Sequence, residues 1–411
     1  MESDLVGWVS VVFRFVHVLA AIMWIGNSLL FTWMELNLIK PASAGGENPL
    51  LGTLDMLHGG GVYHLEKRVL KAGAIPEPLH WFMWQSYTTW ITGFVLLLSL
   101  YHSGSGAFFI DPTKTALPGW SAVLLSLAGI FGGWLVYDRL WLSPLRRHAK
   151  IAIPLSLALL VLVAALYGQI FNGRAVYLQI GAMMGTMMSA NVFFHIIANQ
   201  KRFMAALQSG KPHDLELGKK AKERSLHNHY MTFPVLFLML SAHFPQLTAA
   251  AWNIPILAVI VVTLMFIKFL MNSRYTFSDW LPCVGGTFFF SAATIFIFLA
   301  LPGVMESSSS PEQRRIVAGR QLFLGTGCGA CHMQGSASLA PDLHGVSGKP
   351  QPMADGSVVI ADADYLREAI LTPHLKIVKG YPAVMPAYAG QFSAAQIDSL
   401  VAYVQSIGSN P

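Results

Sequence analysis

The stretch Leu281-Pro282-Cys283-Val284-Gly285-Gly286-Thr287-Phe288-Phe289-Phe290-Ser291-Ala292-Ala293-Thr294-Ile295-Phe296-Ile297-Phe298-Leu299-Ala300-Leu301-Pro302 carries no charged residue. At about 1.5 Å per residue, a helix of that length crosses a ~30 Å hydrocarbon core. The next polar run, Glu306-Ser307-Ser308-Ser309-Ser310-Pro311-Glu312, has linker composition. Beyond it the chain has the composition of an ordinary soluble domain. Upstream, seven more apolar stretches of spanning length lie at roughly 10–34, 80–102, 120–141, 152–171, 175–199, 229–245 and 253–272. The expected fold class is therefore all-α: a polytopic bundle of eight spans over residues 1–303, a linker at 304–315 and a small domain at 316–411. Whole-chain composition agrees. Only 12% of the residues are charged, against about 25% in soluble globular proteins. A soluble enzyme and a disordered chain are excluded, and three cysteines cannot form a disulfide scaffold.

Basic residues orient the bundle. With alternate loops assigned to opposite sides, one side holds Lys40, Lys67, Arg68, Lys71, Arg139, Arg146, Arg147, Lys150, Lys201, Arg202, Lys211, Lys219, Lys220, Lys222, Arg224 and Arg274. The other holds only Lys114 and Arg174. By the positive-inside rule the first side is cytoplasmic. The expected location is the inner membrane of a two-membrane bacterium, with both termini and the small domain in the periplasm. The start Met1-Glu2-Ser3-Asp4 lacks the basic region of a cleavable signal peptide.

In the small domain, Cys328-Gly329-Ala330-Cys331-His332 has the C-x-x-C-H spacing of c-type haem attachment. Two thiols add to the porphyrin vinyl groups, and the adjacent His is then held beneath the iron. Gly319, Arg320 and Phe323 lie on a helical segment before the motif. Ser393-Ala394-Ala395-Gln396 forms a capping box that opens a last helix bearing Ile397, Leu400, Val401 and Val404 at helical spacing. This arrangement resembles a class I cytochrome c, and the resemblance implies a Met as sixth ligand in a loop before the last helix. Met385, within Tyr381-Pro382-Ala383-Val384-Met385-Pro386, is the expected ligand. Met333 adjoins His332 and Met353 is placed in an open loop. Pro341 is expected to orient His332 through its carbonyl. The module also resembles the cytochrome c domain fused to subunit II of some terminal oxidases, through Ala354-Asp355-Gly356-Ser357 and Tyr365-Leu366-Arg367-Glu368-Ala369-Ile370.

The membrane part has phrases of its own. They are Arg14-Phe15-Val16-His17 with Trp24-Ile25-Gly26-Asn27, His58-Gly59-Gly60-Gly61-Val62-Tyr63-His64 with Glu66-Lys67-Arg68, and Leu79-His80-Trp81-Phe82 with Tyr87-Thr88-Thr89-Trp90. The last is Arg224-Ser225-Leu226-His227-Asn228-His229-Tyr230-Met231-Thr232-Phe233-Pro234-Val235-Leu236-Phe237. At these residues, and in the order of its parts, the chain resembles the bacterial membrane-bound urate hydroxylases. The resemblance implies oxidation of urate to 5-hydroxyisourate in purine degradation, with electrons passing to the covalent haem c and on to a respiratory acceptor.

Ionisable residues inside a span are costly and mark candidate sites. Arg14, His17, His102 and His243 fall in the outer half. Glu35, His80, His195, His227 and His229 fall toward the cytoplasm, with Asn191 and Asn199 one helical turn either side of His195. Taken singly, each His reads as a helix–helix hydrogen-bonding residue; several at one depth make a candidate cavity. His195, Asn191, His227, His229 and Glu35 are the catalytic candidates. A planar purine monoanion needs an aromatic platform, amide or Arg donors and a base, which Trp24, Trp81, Trp84, Asn191 and His195 could supply. An inner substrate site would lie most of a ~30 Å core from a periplasmic haem. Either urate reaches the outer half, near Arg14 and His17, or a second cofactor bridges the distance. His17 is then the expected ligand of a bridging haem b, its plain alternative being a hydrogen bond to a neighbouring helix. Lys268 is expected to snorkel to the interface and Cys283 to pack as a small residue. Met183, Met184, Met187 and Met188 are expected to fill core, and the glycines after His58 to form a flexible loop.

Two other function classes compete with the urate enzyme: a respiratory electron-relay subunit without substrate chemistry, and a non-catalytic haem-anchoring or transport protein. No span carries the paired His-His run of a haem-copper centre, and no copper-binding Cys pair is present. The expected partners are urate, the downstream electron acceptor and the lipid bilayer, with no nucleic acid.

Overall fold

A computed structural model describes residues 2–41, 50–68, 78–99, 109–111, 114–115, 117–209, 215–305, 310–332 and 340–408. Lys71, His102, Lys211, Met333 and the linker residues 306–309 lie outside them. Two compact units divide the chain. They cut across the boundary drawn from composition, because the second holds membrane helices together with the small domain.

The first unit comprises Met1–Leu96, Gly185–Thr232 and Asn272–Ser278. It holds helix α1 (Glu2–Asn37), strands β1 (Leu50–His58) and β2 (Gly61–Arg68), and nearly all of α2 (Trp84–Leu97). The strands pair antiparallel, with Asp55 opposite His64 and His58 opposite Gly61. Gly59 and Gly60 both adopt positive φ, 60° and 80°. Two such residues make the hairpin turn whose twist matches the strands. The glycines expected as a flexible loop are thus a defined turn.

Helix α5 (Gly173–Ala190) runs through a π-helical segment at Asn191–Ile197 into α6 (Ala198–Gln208). This is the more interior helix: most of its apolar length is buried inside the protein, whereas α10 (Trp280–Met305) buries none of its apolar residues fully and meets α9 through Thr263 and Ser291 at 2.6 Å. Helix α7 (Leu215–Leu240) starts in a charged stretch and buries Ala221, Arg224, Asn228, Met231 and Leu238 along one helical stripe.

The second unit comprises Leu97–Met184, Phe233–Met271 and Asp279–Pro411. It holds α3 (Gly119–Leu142), α4 (Ala149–Gly168), the start of α5, the short α8 (Pro245–Thr248), α9 (Asn253–Asn272) and α10. Gly129 and Gly133, one turn apart on α3, let neighbouring helices approach closely. A side chain at Gly129 would strike the Tyr167 ring, and one at Gly133 the Met183 thioether. Met183, Met184, Met187 and Met188 are all buried, as core packing requires. Lys268 departs from expectation. Its side chain is only 2% exposed, and its ammonium sits 4.6 Å from the centroid of the Phe233 ring instead of reaching the interface.

Among the described residues, six helices are long and apolar enough to cross a membrane. The stretches at 80–102 and 229–245 are not among them. Helix α2 is described as 14 residues, and α7 ends at Leu240 before a short 3-10 turn, Ser241–His243.

The small domain begins at α11 (Pro311–Gly325), whose N-cap is Ser310: its hydroxyl accepts the Gln313 N–H at 3.2 Å. There follow α12 (Gly329–His332), the two-stranded β3 (Pro350–Pro352) and β4 (Val358–Ile360), α13 (Ala363–Leu371) and α14 (Ala394–Ser406). The capping box at Ser393 and Gln396 is present in both directions. Helices α11 and α14 cross at Gly319, where a Cβ would fall 1.9 Å from the Ser399 carbonyl oxygen. Phe323 and Tyr403 pack edge to face beside that crossing, 5.3 Å between centroids.

Candidate functional site

The small domain presents a haem-attachment turn. In α12 the N–H groups of Cys331 and His332 both donate to the Cys328 carbonyl, at 3.2 and 3.1 Å. This single turn brings two thiols, not joined in a disulfide, and an imidazole together. His332 Nδ1 donates to the Pro341 carbonyl at 2.9 Å, which directs Nε2 away for a metal. Burial holds His332 below its usual range, so the ring keeps a lone pair. Burial also raises both thiols, Cys331 to about 11. Met385 packs against the apolar cluster that Cys328 also borders. These residues fit a covalently held haem: two thiols, an oriented imidazole and a thioether around one apolar core.

Met353 is not in an open loop. It is 1% exposed, and its N–H donates to the Ser357 carbonyl at 2.8 Å in the β3–β4 turn. It belongs to the same buried cluster, so its placement near the haem site is tighter than the sequence indicates.

The first unit carries a buried polar group. Asn191 is fully buried and donates from Nδ2 to Asn228 Oδ1 at 2.9 Å. Asn228 Nδ2 donates to the Met188 carbonyl at 2.8 Å. The Arg224 guanidinium, 4% exposed, reaches Asn191 Oδ1 at 3.5 Å. An arginine this deep is a strong anion donor, because its charge is little screened. Thr32 Oγ1 lies 3.3 Å from His229 Nδ1, while His229 Nε2 meets Asn272 Oδ1 at 2.9 Å.

Of the expected catalytic residues, Asn191 joins Arg224 and Asn228. His229, on α7 one residue from Asn228, is held toward α1 and Asn272. His227 is half-buried one turn beyond Arg224. The π segment Asn191–Ile197 carries both Asn191, fully buried, and His195, half-buried. Such segments recur at functional sites. Glu35 stands apart, paired with Lys67 and, at 3.5 Å, Lys222. His80 and Trp84 are exposed; Trp24 and Trp81 are half-buried.

Arg224 and Asn228 stood in the phrase that carries the resemblance, and Arg224 among the cytoplasmic charges, but neither was a candidate site residue. The signal was their phase: both fall on the stripe of Ala221, Met231 and Leu238.

His17 packs on α2. Its Nδ1 lies 2.9 Å from the Thr89 carbonyl and 3.1 Å from Thr92 Oγ1, and a Cβ at Gly93 would fall 2.8 Å from its ring.

An apolar helical part with a buried cationic polar group, joined to a haem-attachment domain, defines a membrane oxidoreductase that carries its own haem c. Two family models match. Cytochrome c matches residues 316–408. Urate oxidase N-terminal matches residues 3–299, and the chain belongs to that family. Comparison with curated proteins gives no match.

Proposed function

We propose that the protein hydroxylates urate to 5-hydroxyisourate in purine degradation and delivers the electrons to its own haem c, from which a respiratory acceptor takes them. The observation that carries this reading is the buried Arg224–Asn191–Asn228 group, within a chain whose membrane part belongs to the urate oxidase N-terminal family. Urate is a planar monoanion. Arg224 offers its charge, and the side-chain amides of Asn191 and Asn228 offer donors and acceptors for purine edges. His195, on the same π segment as Asn191, and His227, one turn from Arg224, are the proposed proton acceptors. Urate gains one oxygen from water and releases two protons and two electrons. When bound, the haem supplies a one-electron acceptor at a potential raised by Met–His ligation. Cys328 and Cys331 would hold it covalently, His332 and Met385 would ligate the iron, and Pro341 would orient His332. The orientation from the basic residues puts this domain in the periplasm.

His17 lies apart from the polar group. Along α1, Thr32, which touches His229, follows His17 by fifteen residues, about 22 Å at 1.5 Å per residue. With Nδ1 donating to the Thr89 carbonyl, His17 Nε2 suits a metal, and we propose it as the ligand of a non-covalent haem b that would relay electrons. A pyridine haemochrome assay should show b-type beside c-type haem; c-type alone removes the bridge.

Steady-state kinetics of Arg224→Gln test the substrate site. A charge-assisted hydrogen bond contributes about 1.5–3 kcal/mol, so KM for urate should rise roughly 10–150-fold with haem content unchanged. An unchanged KM moves the substrate elsewhere.

A further inference from the structure

Only Lys114 and Arg174 put basic charge in the loops assigned to the outer side. Lys114 has its reason: an ion pair with Asp111 at 3.2 Å and a bond to the Phe171 carbonyl at 3.3 Å. Arg174 has neither among the described residues. It opens α5, where Asn172 Oδ1 accepts the Ala175 N–H at 2.9 Å. Its Nε is buried without a hydrogen-bond partner, an arrangement that is costly unless something else occupies the guanidinium.

The surroundings show what that is. Gly173 is pressed against the Thr248 carbonyl, which Asn253 Nδ2 holds at 2.9 Å. The next residue, Ala249, is 8% exposed and belongs to the apolar core of the small domain, flush against Gly325 of α11. The small domain is therefore seated on the membrane part at Ala249, beside the start of α5. Burial raises the Cys328 thiol and the Tyr388 hydroxyl, and the charge of Arg174 works against it at both.

Porphyrin chemistry fixes what lies at Cys328. Its thioether forms at a vinyl group, and the two vinyls occupy adjacent pyrroles while the propionates occupy the opposite pair. A cation beside Cys328 therefore meets the thioether edge and is not a propionate partner.

We propose that Arg174, from the membrane part, is a positioning residue at the thioether edge of the haem, where its charge raises the haem reduction potential and marks the edge facing the membrane part. This rests on the domain being a cytochrome c and not on urate being the substrate. Ferric haem carries one more positive charge than ferrous, so a nearby cation favours the reduced form, and a half-buried one acts with little screening.

The test is an equilibrium redox titration of the haem α-band in purified full-length protein. Arg174→Gln should lower the potential by roughly tenfold in the reduction equilibrium, about 59 mV for a one-electron couple, and Arg174→Lys should stay near the parent. Arg174→His adds a variant with a switchable charge. Its potential should fall relative to the parent as pH rises through the ordinary His value of about 6.5. A parent-like potential in haem-loaded Arg174→Gln overturns the proposal. So does Arg174→His tracking the parent at every pH, which decides the matter if the Gln variant fails to load haem.

Discussion

At the residue scale, the haem-attachment residues and Arg224 differ in how visible they were. The haem residues were legible because C-x-x-C-H is a covalent requirement. Two thiols and an imidazole must share one turn, and the bonds from Cys331 and His332 to the Cys328 carbonyl show that turn. Arg224 was hidden. Lys219, Lys220 and Lys222 surround it, and a positive run near a span end ordinarily means a cytoplasmic loop; only its phase with Asn228 marks it as interior. The choice between Met385 and Met353 belongs at this scale too. Both border the apolar cluster around Cys328, Met353 more deeply. If Met385 is the sixth ligand, Met385→His should lower the haem potential sharply, since a second imidazole stabilises ferric iron more than a thioether does. Met353→Leu should leave the potential and the haem spectrum in place. A fall in potential with Met353→Leu and none with Met385→His would reverse the assignment.

At the scale of elements, the period of the apolar residues predicted the helices well, and misses came where local chemistry departs from that period. The glycines after His58 were read as a flexible loop, because three in succession imply freedom. Yet a Gly-Gly pair is also the natural occupant of a two-residue turn with positive φ at both positions. The π segment Asn191–Ile197 has no sequence signature, so the apolar period did not announce it. Helix α7 passes from charged to apolar without a break, which blurs where a span begins. The α11–α14 crossing was foreseeable, because α11 meets α14 at a glycine. Gly319→Ala should test how tightly. Its Cβ would meet Ser399 backbone, which has no flexible end to yield. Overpacking of this kind costs typically 1–3 kcal/mol. For a domain of about 100 residues that is a Tm loss of at least 4–8 °C, measurable by following haem-domain unfolding. An unchanged Tm would mean the helices separate without cost.

For the whole molecule, the order of a urate-oxidase-like part and a cytochrome c was legible in the sequence, and the two family models match residues 3–299 and 316–408. The seating of the haem domain on Ala249 was not, because it depends on a four-residue helix and a turn with no pattern in sequence. In the proposed function, electron flow from urate to the haem joins the two halves. The direct measurement is anaerobic addition of urate to the purified, oxidised full-length protein while the haem α-band is followed and 5-hydroxyisourate is assayed. Urate should reduce the haem without oxygen, in step with product, at two electrons per molecule oxidised. A haem that stays oxidised while urate is consumed only when oxygen is admitted would contradict the account, because the cytochrome would then not be the electron exit.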